Sequence, residues 1–479
     1  MKRTLLISIT FILVVLLSLS GELRSQDRWS LEDCLKYARE NNLSIEAATI
    51  NHSVTVTDRA EAFQTRLPNL TSSSGYSYSF GRNVDPTTND FVPQNLGFSS
   101  INLNTNVLLY NGGRLRNQYS RALLLEKEAD ALRKQTIQDV ELEIALAFLT
   151  ILFERERTRN AEEQLTASNN QLDRILQLIE VEMVPESDQF EWIAQAAADE
   201  QQIMISENAV ENAIFQLKSI LNLDPAGPFE VEIPTVDPDT DLDEYNFLSV
   251  LDQVKRTRPE ILAMDFGERA AEKGVALAES ARMPSLFFGA GLNTNYSTLS
   301  QTLEDFTLQR VLSDGVFING ESVLFEQETS VPLSAIRTPF FEQLNQNLGF
   351  ALGVQLNIPI YDRGRFKADV DRAKHNLSLV RNQNRQNQRA LELQIQEILA
   401  DLKTAEAQYD AGLRRVEYLQ NAYDNMNQRF GLGMSNNYDL LDAQVRLNQA
   451  VSEATIAKFN LLFRKKVLDF YLGEPMTLD

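Results

Sequence analysis

The sequence predicts a mixed α and β fold, built from two copies of one architectural half, in which very long helices carry four long strands. Three observations predict it. Tyr110-Asn111-Gly112-Gly113-Arg114 returns 251 residues later as Tyr361-Asp362-Arg363-Gly364-Arg365. Segments of two-residue periodicity run to the length of a membrane strand. Between Gly113 and Glu180 neither proline nor a further glycine occurs.

The repeat is long. The displacement of 251 also carries Arg121-Ala122 onto Arg372-Ala373 and Asp188 onto Asp439. Upstream, Leu67-Pro68-Asn69-Leu70 returns as Met283-Pro284-Ser285-Leu286, a displacement of 216. The 35-residue excess of the second half therefore lies between Pro284 and Tyr361. A unit of this length is a duplicated half around a pseudo-symmetry axis, not a solenoid repeat.

Residues 1–26 read as a secretory signal peptide: Met1-Lys2-Arg3, an apolar run from Leu5 to Leu19, then Ser20 and Gly21. The run is too short and wrongly flanked for a spanning helix. Cleavage near Gln26 removes Lys2, Arg3, Glu22 and Arg24 and moves the formal charge from −22 to −24. That acidity argues against nucleic acid, which needs a basic surface. Cys34 is the only cysteine, so no intrachain disulfide forms, and its helical setting reads as a small core residue rather than a lipid anchor. After the signal no apolar stretch approaches a membrane helix, so any membrane contact falls to strands.

Pro68 and Pro284 each close a helical run and open an alternating segment. Leu70, Tyr76, Tyr78 and Phe80 share one face against Thr71, Ser73, Gly75, Ser77 and Ser79. Ile101, Leu103, Thr105, Val107 and Leu109 oppose Asn102, Asn104 and Asn106. Leu286, Phe288, Ala290 and Leu292 oppose Gly289, Gly291, Asn293 and Asn295; Leu348 to Ile360 alternates against Gly349, Ala351, Gly353, Gln355 and Asn357. An apolar row against a small or amide row fits a transmembrane barrel with a wet lumen. The length supports this reading over a soluble sandwich, whose strands average about 5 to 6 residues. Four strands cannot close a barrel and open edges cannot sit in lipid, so several copies share one wall; three would supply twelve strands.

The helix after Gly113 reaches about 100 Å at 1.5 Å per residue. Its duplicate runs from Arg365 to about Arg429. Leu391, Ile395, Ile398, Leu402 and Ala405 repeat the phase of Val140, Ile144, Ala147, Ile151 and Glu154, a coiled-coil seam. Each helix meets a turn and a returning helix, from about Glu186 to Leu221 and from about Tyr438 to Tyr471. The first turn uses Pro185, the second Gly431 and Gly433. The expected organisation is first-repeat helices in 27–69 and 110–285 with a linker at 224–245, and a first strand pair in 70–109. A second pair follows in 286–360 with a long external loop at 297–346, then second-repeat helices in 361–479. Within that loop Phe317-Ile318-Asn319-Gly320 and Thr338-Pro339-Phe340-Phe341 offer apolar spots suited to plugging the mouth, touching lipopolysaccharide or binding a partner.

These features resemble the TolC-like outer-membrane efflux family. The matching residues are Trp29-Ser30-Leu31-Glu32-Asp33-Cys34, Arg258-Pro259-Glu260-Ile261, the Leu-Pro-x-Leu strand starts, and the Tyr-x-x-Gly-Arg strand exits. Gly433 followed by Tyr438-Asp439-Leu440-Leu441-Asp442-Ala443 completes the set. The resemblance implies a homotrimer whose twelve-stranded outer-membrane barrel continues as a long α-helical barrel across the periplasm of a Gram-negative bacterium. It implies an exit duct for a tripartite efflux pump or type I secretion system, joined by a periplasmic adaptor (membrane fusion) protein to an inner-membrane transporter. No cofactor, metal or catalytic site is expected of such a duct.

Asp439 and Asp442 lie three apart on one helix face and match the family's acidic rings at the periplasmic constriction. Asp188 and Glu191 are their repeat equivalents. The competing reading is that Asp188 and Asp439 cap the returning helices or lie on solvated faces. Glu182 stands where the second turn has Gly433, which departs from the family pattern. An enzyme finds no support: His52 and His375 sit in polar helical stretches, and no nucleophile elbow, phosphate loop or metal-ligand pair occurs. A passive porin needs many more strands in one chain. A non-conducting periplasmic spacer or adhesin has no use for a row of amides along each strand.

Overall fold

The computed structural model describes residues 28–84, 89, 91–93, 95–234, 245–312, 316–318, 321–323 and 326–476. The expected signal peptide and the central part of the expected linker lie outside them. The chain divides into two compact units. One comprises the described residues of Met1–Val56, Leu124–Arg269 and Ser378–Asp479, the other Thr57–Leu123 and Ala270–Leu377.

Element for element, the halves repeat. The first has α1 (Leu31–Asn41), α2 (Leu43–Gln64), β1 (Asn69–Ser79), two short strands β2 (Asn83–Val84) and β3 (Phe91–Val92), β4 (Leu96–Tyr110), α3 (Arg114–Glu180) and α4 (Asp188–Leu221). The second has α5 (Phe247–Thr257), α6 (Pro259–Ser280), β5 (Ser285–Ser297), β6 (Gln301–Leu312), β7 (Val316–Ile318), β8 (Glu321–Val323) and β9 (Glu326–Arg337). It closes with α7 (Phe340–Gln346), β10 (Gly349–Asn357), α8 (Arg365–Gly431) and α9 (Asn437–Leu472). Helices α5 and α6 sit 216 residues after α1 and α2 at both ends, and α8 sits 251 after α3 at both ends. Left-handed backbone repeats too: Gly112 with Arg363, Gly113 with Gly364, Glu182 with Gly433, Asn222 with Gly473.

Local chemistry sets the boundaries. Ser30 and Asp33 form a reciprocal capping box on α1, and Asn246 caps α5 through the amide of Leu248. The carboxylate of Asp362 accepts from the amides of Gly364 and Phe366, while Asn111 Oδ1 accepts from the amide of Leu115 at 3.3 Å. These equivalent side chains start the two longest helices. β10 stops at Asn357, short of the alternation that runs to Ile360, because Pro359 lacks the amide a ladder needs.

In the first unit the seam residues Val140, Ile144 and Ile151 are buried, as are Leu391, Ile395, Ile398, Leu402 and Ala405. They share one core with Leu35, Leu217, Val254 and Leu461. Arg258, 3% exposed, pairs with Glu260 at 2.7 Å and stacks 4.0 Å above the Phe470 ring. The chain after α4 returns to the start of the described residues: Trp29 bridges Val231, and its ring meets Tyr37 and Phe229.

The second unit carries a four-stranded antiparallel sheet in the order β1-β4-β5-β10. Directly paired residues share a face. The register therefore places Leu70, Tyr76, Ile101, Leu103, Val107, Phe288, Leu292, Phe350, Leu352 and Val354 on one side. Ser73, Gly75, Asn102, Asn104, Asn106, Gly289, Gly291, Asn293 and Gln355 fall on the other. The apolar side is bare in the single chain, with Val354 65% exposed. The residues expected as a long loop, 297–346, contain the hairpin β6–β9, the short pair β7–β8 and helix α7. Among the described residues no helix is long and apolar enough to cross a membrane.

Cys34 is fully buried and unpaired, and burial, reinforced by the charge of Asp33, pushes its thiol up to about 12. The reactive thiolate is scarce under those conditions. We expect maleimide to leave the folded protein unlabelled near neutral pH and to add one label per chain after denaturation, read by mass spectrometry.

Candidate functional site

The turns α3–α4 and α8–α9 are built alike. Met183 donates its amide to the carbonyl of Leu178 at 2.8 Å and Glu182 to Ile179 at 2.9 Å. Met434 does the same to Arg429 at 2.9 Å and Gly433 to Phe430 at 3.0 Å. Both are Schellman closures that need a left-handed residue at the pivot. Gly433 supplies it without strain at φ 72°, whereas Glu182 adopts φ 57° with a side chain attached. The first turn thus keeps the geometry at a backbone cost the second turn avoids. Gly431 is not a pivot: it is the last residue of α8, and a Cβ there would stand 3.0 Å from Arg174 Nη2. Pro185 is exposed and accepts from the amide of Asp188 at 3.1 Å.

The two turns are joined through a small core of their own, Ile175, Trp192, Phe430 and Leu440. Trp192 is fully buried and donates Nε1 to Asn437 Oδ1 at 2.6 Å. Asn437 Nδ2 donates to Glu191 Oε2 at 3.2 Å and to the carbonyl of Asp188 at 3.4 Å. Further along, Arg174 reaches Asn427 Oδ1 at 2.6 Å and lies over the Phe430 ring, and Gln171 reaches the Tyr423 hydroxyl at 3.0 Å. Trp192 escaped the sequence reading because it has no counterpart in the repeat, where Ala443 occupies the equivalent position; Asn437, whose equivalent is Glu186, reads in the sequence only as one of three cap candidates with Ser435 and Asn436.

The acidic residues divide into two kinds. Asp439 is exposed; its amide donates to Asn436 Oδ1 at 2.8 Å, so Asn436 is the cap of α9 and Asp439 is not. Ser187 occupies the cap position of α4, ahead of Asp188. Asp442 carries a partner, Arg446 Nε at 2.8 Å, one helical turn on. Glu191 is exposed yet held by Asn437. Spacing alone would have found Arg446, since oppositely charged residues four apart meet on a helix. Among the described residues no group of three or more His, Cys, Asp or Glu could hold a metal ion.

Comparison with known proteins follows from this architecture. Residues 250–474 match the family described as Outer membrane efflux protein. Outer membrane protein TolC of Escherichia coli (strain K12) is 21% identical over 469 residues, covering 95% of this chain and 85% of that protein. The chain is thus similar to TolC-like outer-membrane efflux proteins over nearly its whole length. Among solved structures, CusC superposes with a TM-score of 0.75 at 15% identity, over 93% of this chain and 92% of CusC. VceC of Vibrio cholerae superposes with a TM-score of 0.72 at 14% identity, over 93% of this chain and 97% of VceC. At such identities these likenesses speak for the fold: a mixed, mostly helical chain with a small membrane-length sheet.

The pivots offer a stability test. Gly433→Ala is expected to lower the unfolding free energy by about 1 kcal/mol, and Glu182→Gly to raise it by a comparable amount. Thermal unfolding followed by circular dichroism reads both, and equal behaviour of the two variants contradicts the assignment.

Proposed function

We propose that the protein is the outer-membrane exit duct of a tripartite efflux pump or type I secretion system, working as a homotrimer. The observation that carries this reading is the four-stranded sheet. Among the described residues its edges β1 and β10 have no further strand beside them, one face is apolar and mostly exposed, and the other carries amides, hydroxyls and glycines. Pairing β1 of one subunit with β10 of the next satisfies both edges, and three subunits make a twelve-stranded wall. The apolar face then meets outer-membrane lipid and the amide face a wet lumen. A non-conducting spacer leaves both edges and the apolar face unexplained.

Transport is passive and gated at the helical turns near Pro185 and Gly433, where Asp439, Asp442, Asp188 and Glu191 form the periplasmic constriction. A periplasmic adaptor shifts these turns, and an inner-membrane transporter supplies the energy. Carboxylates ringing a narrow pore favour cations. Asp439 dominates this preference, because Arg446 offsets the charge of Asp442.

Two outcomes follow. In planar bilayers Asp439→Ala is expected to reduce cation preference more than Asp442→Ala, and the double variant to lose most of it; unchanged selectivity in the double variant removes the ring. Within the sheet, Val354→Lys puts a charge in lipid at about 2 to 4 kcal/mol near the midplane, whereas Gln355→Lys faces water. Denaturant unfolding of the reconstituted protein should show the first loss and little of the second.

A further inference from the structure

At the end of the sheet where β4 begins and β5 finishes, β10 begins at Gly349 opposite Asn293, while its neighbour β5 runs on to Ser297. The chain ahead of β10 does not extend the ladder. Side-chain amides take its place: Asn347 Nδ2 donates to the carbonyl of Asn295 at 2.9 Å. Gln343 Oε1 accepts from the amide of Ser297 at 2.9 Å, and its Nε2 donates to the carbonyls of Ser297 at 3.0 Å and Thr338 at 2.8 Å. Gln343 is 1% exposed, and both ends of its amide are satisfied. Helix α7 is therefore fastened to the rim of the sheet.

The side of the sheet it occupies is decided by two further contacts. Thr294 Oγ1 donates to the carbonyl of Leu344 at 2.7 Å, and the Tyr296 ring meets Phe340 edge-on at 5.0 Å between centroids. Thr294 pairs with Ile101 and Tyr296 with Ser99, so both belong to the face of Leu103, Leu292 and Phe350. A helix that plugged the mouth would pack on the opposite face, with Asn102 and Asn104. Phe340 passes its ring contact on to Phe341, which is 82% exposed. Tyr76, Tyr78 and Phe80 stand exposed at the same end of the sheet. The polar residues of α7 look after themselves: Gln346 Nε2 donates to Glu342 Oε1 at 3.0 Å.

We propose that α7 is an interfacial anchor, with Phe340 and Phe341 seated at the boundary between headgroups and acyl chains of the outer leaflet. Its partner is the lipid surface itself. The aromatic pair continues the apolar face of the sheet up to its rim, where amphipathic and aromatic side chains settle. The inference rests on that face meeting lipid and adds the depth at which the barrel rides. Amide capping by Gln343 and Asn347 spares β5 an unpaired edge where β10 has ended, so a helix stands where a strand would otherwise be required.

The buried Cys34 makes the test practical. In a Cys34→Ala background, nitroxide labels are placed through Phe341→Cys, Leu352→Cys and Asn104→Cys. The protein is reconstituted in vesicles of phosphatidylethanolamine and phosphatidylglycerol. Power saturation then compares collisions with oxygen, which concentrates in lipid, and with a water-soluble nickel chelate. The label at 352 is expected to favour oxygen strongly, the label at 104 to favour nickel, and the label at 341 to favour oxygen less than that at 352. Nickel access at 341 equal to that at 104 places α7 in water and overturns the anchor. Access by neither reagent at 341 shows a protein surface covering it and overturns the anchor equally. A label at 352 that behaves as aqueous overturns the membrane reading of the sheet, and the anchor with it.

Discussion

Unpaired backbone at the two edges of a four-stranded sheet is the constraint on which the remaining architecture depends. A strand presents a row of amides and carbonyls, and in hydrocarbon each one left unmade costs several kcal/mol. Among the described residues no second strand lies beside β1 or β10. The face they flank is apolar and, below the rim where α7 sits, largely exposed. Under the proposed function, association of several copies is what satisfies both properties. The proposed closure is thus a consequence of hydrogen-bond accounting more than of any single motif.

The helical turns show how a duplicated structure becomes asymmetric while its backbone stays the same. Both turns close with the same pair of hydrogen bonds and the same left-handed pivot, once at Gly433 and once, against preference, at Glu182. The side chains diverge instead. Asn437 links its own turn to Trp192 and Glu191 of the other half, a join that neither half makes in reverse. Asp442 gains Arg446, so two carboxylates three residues apart carry different effective charge.

The insertion of the second half follows a similar logic. Its 35 extra residues fall between β5 and β10, at the end of the sheet where one strand outlasts its neighbour. A helix cannot continue a ladder, so Gln343 and Asn347 supply amide groups from their side chains. The cost is two ordered side chains; the result is a fixed helix carrying Phe340 and Phe341 at the rim.

Periodicity and displacement made most of the fold legible in the sequence. Two-residue alternation survives in the sheet because each strand has two different solvents to satisfy, and the helices end where their caps and pivots stand, at Asn111, Asp362 and Gly433. The register that brings four separate apolar rows onto one face was decided only by pairing, since alternation specifies two faces for each strand and not which faces coincide. The hairpin β6–β9, whose partners stand 14 to 36 residues apart, and the seat of α7, held by bonds such as Thr294 with Leu344, 50 residues apart, were likewise invisible, because both depend on pairing that no local pattern specifies. The acidic residues were legible as positions, through the repeat and the three-residue spacing. Their environment was legible only in part: Arg446 stands one helical turn from Asp442 and follows from spacing, whereas Asn437 and Trp192 meet through a contact that only the folded turns create. Local chemistry, including the Asp442–Arg446 pair, is written along the chain, whereas a partner from the other half is chosen by packing, and packing is what brings Asn437 to Trp192 and Glu191.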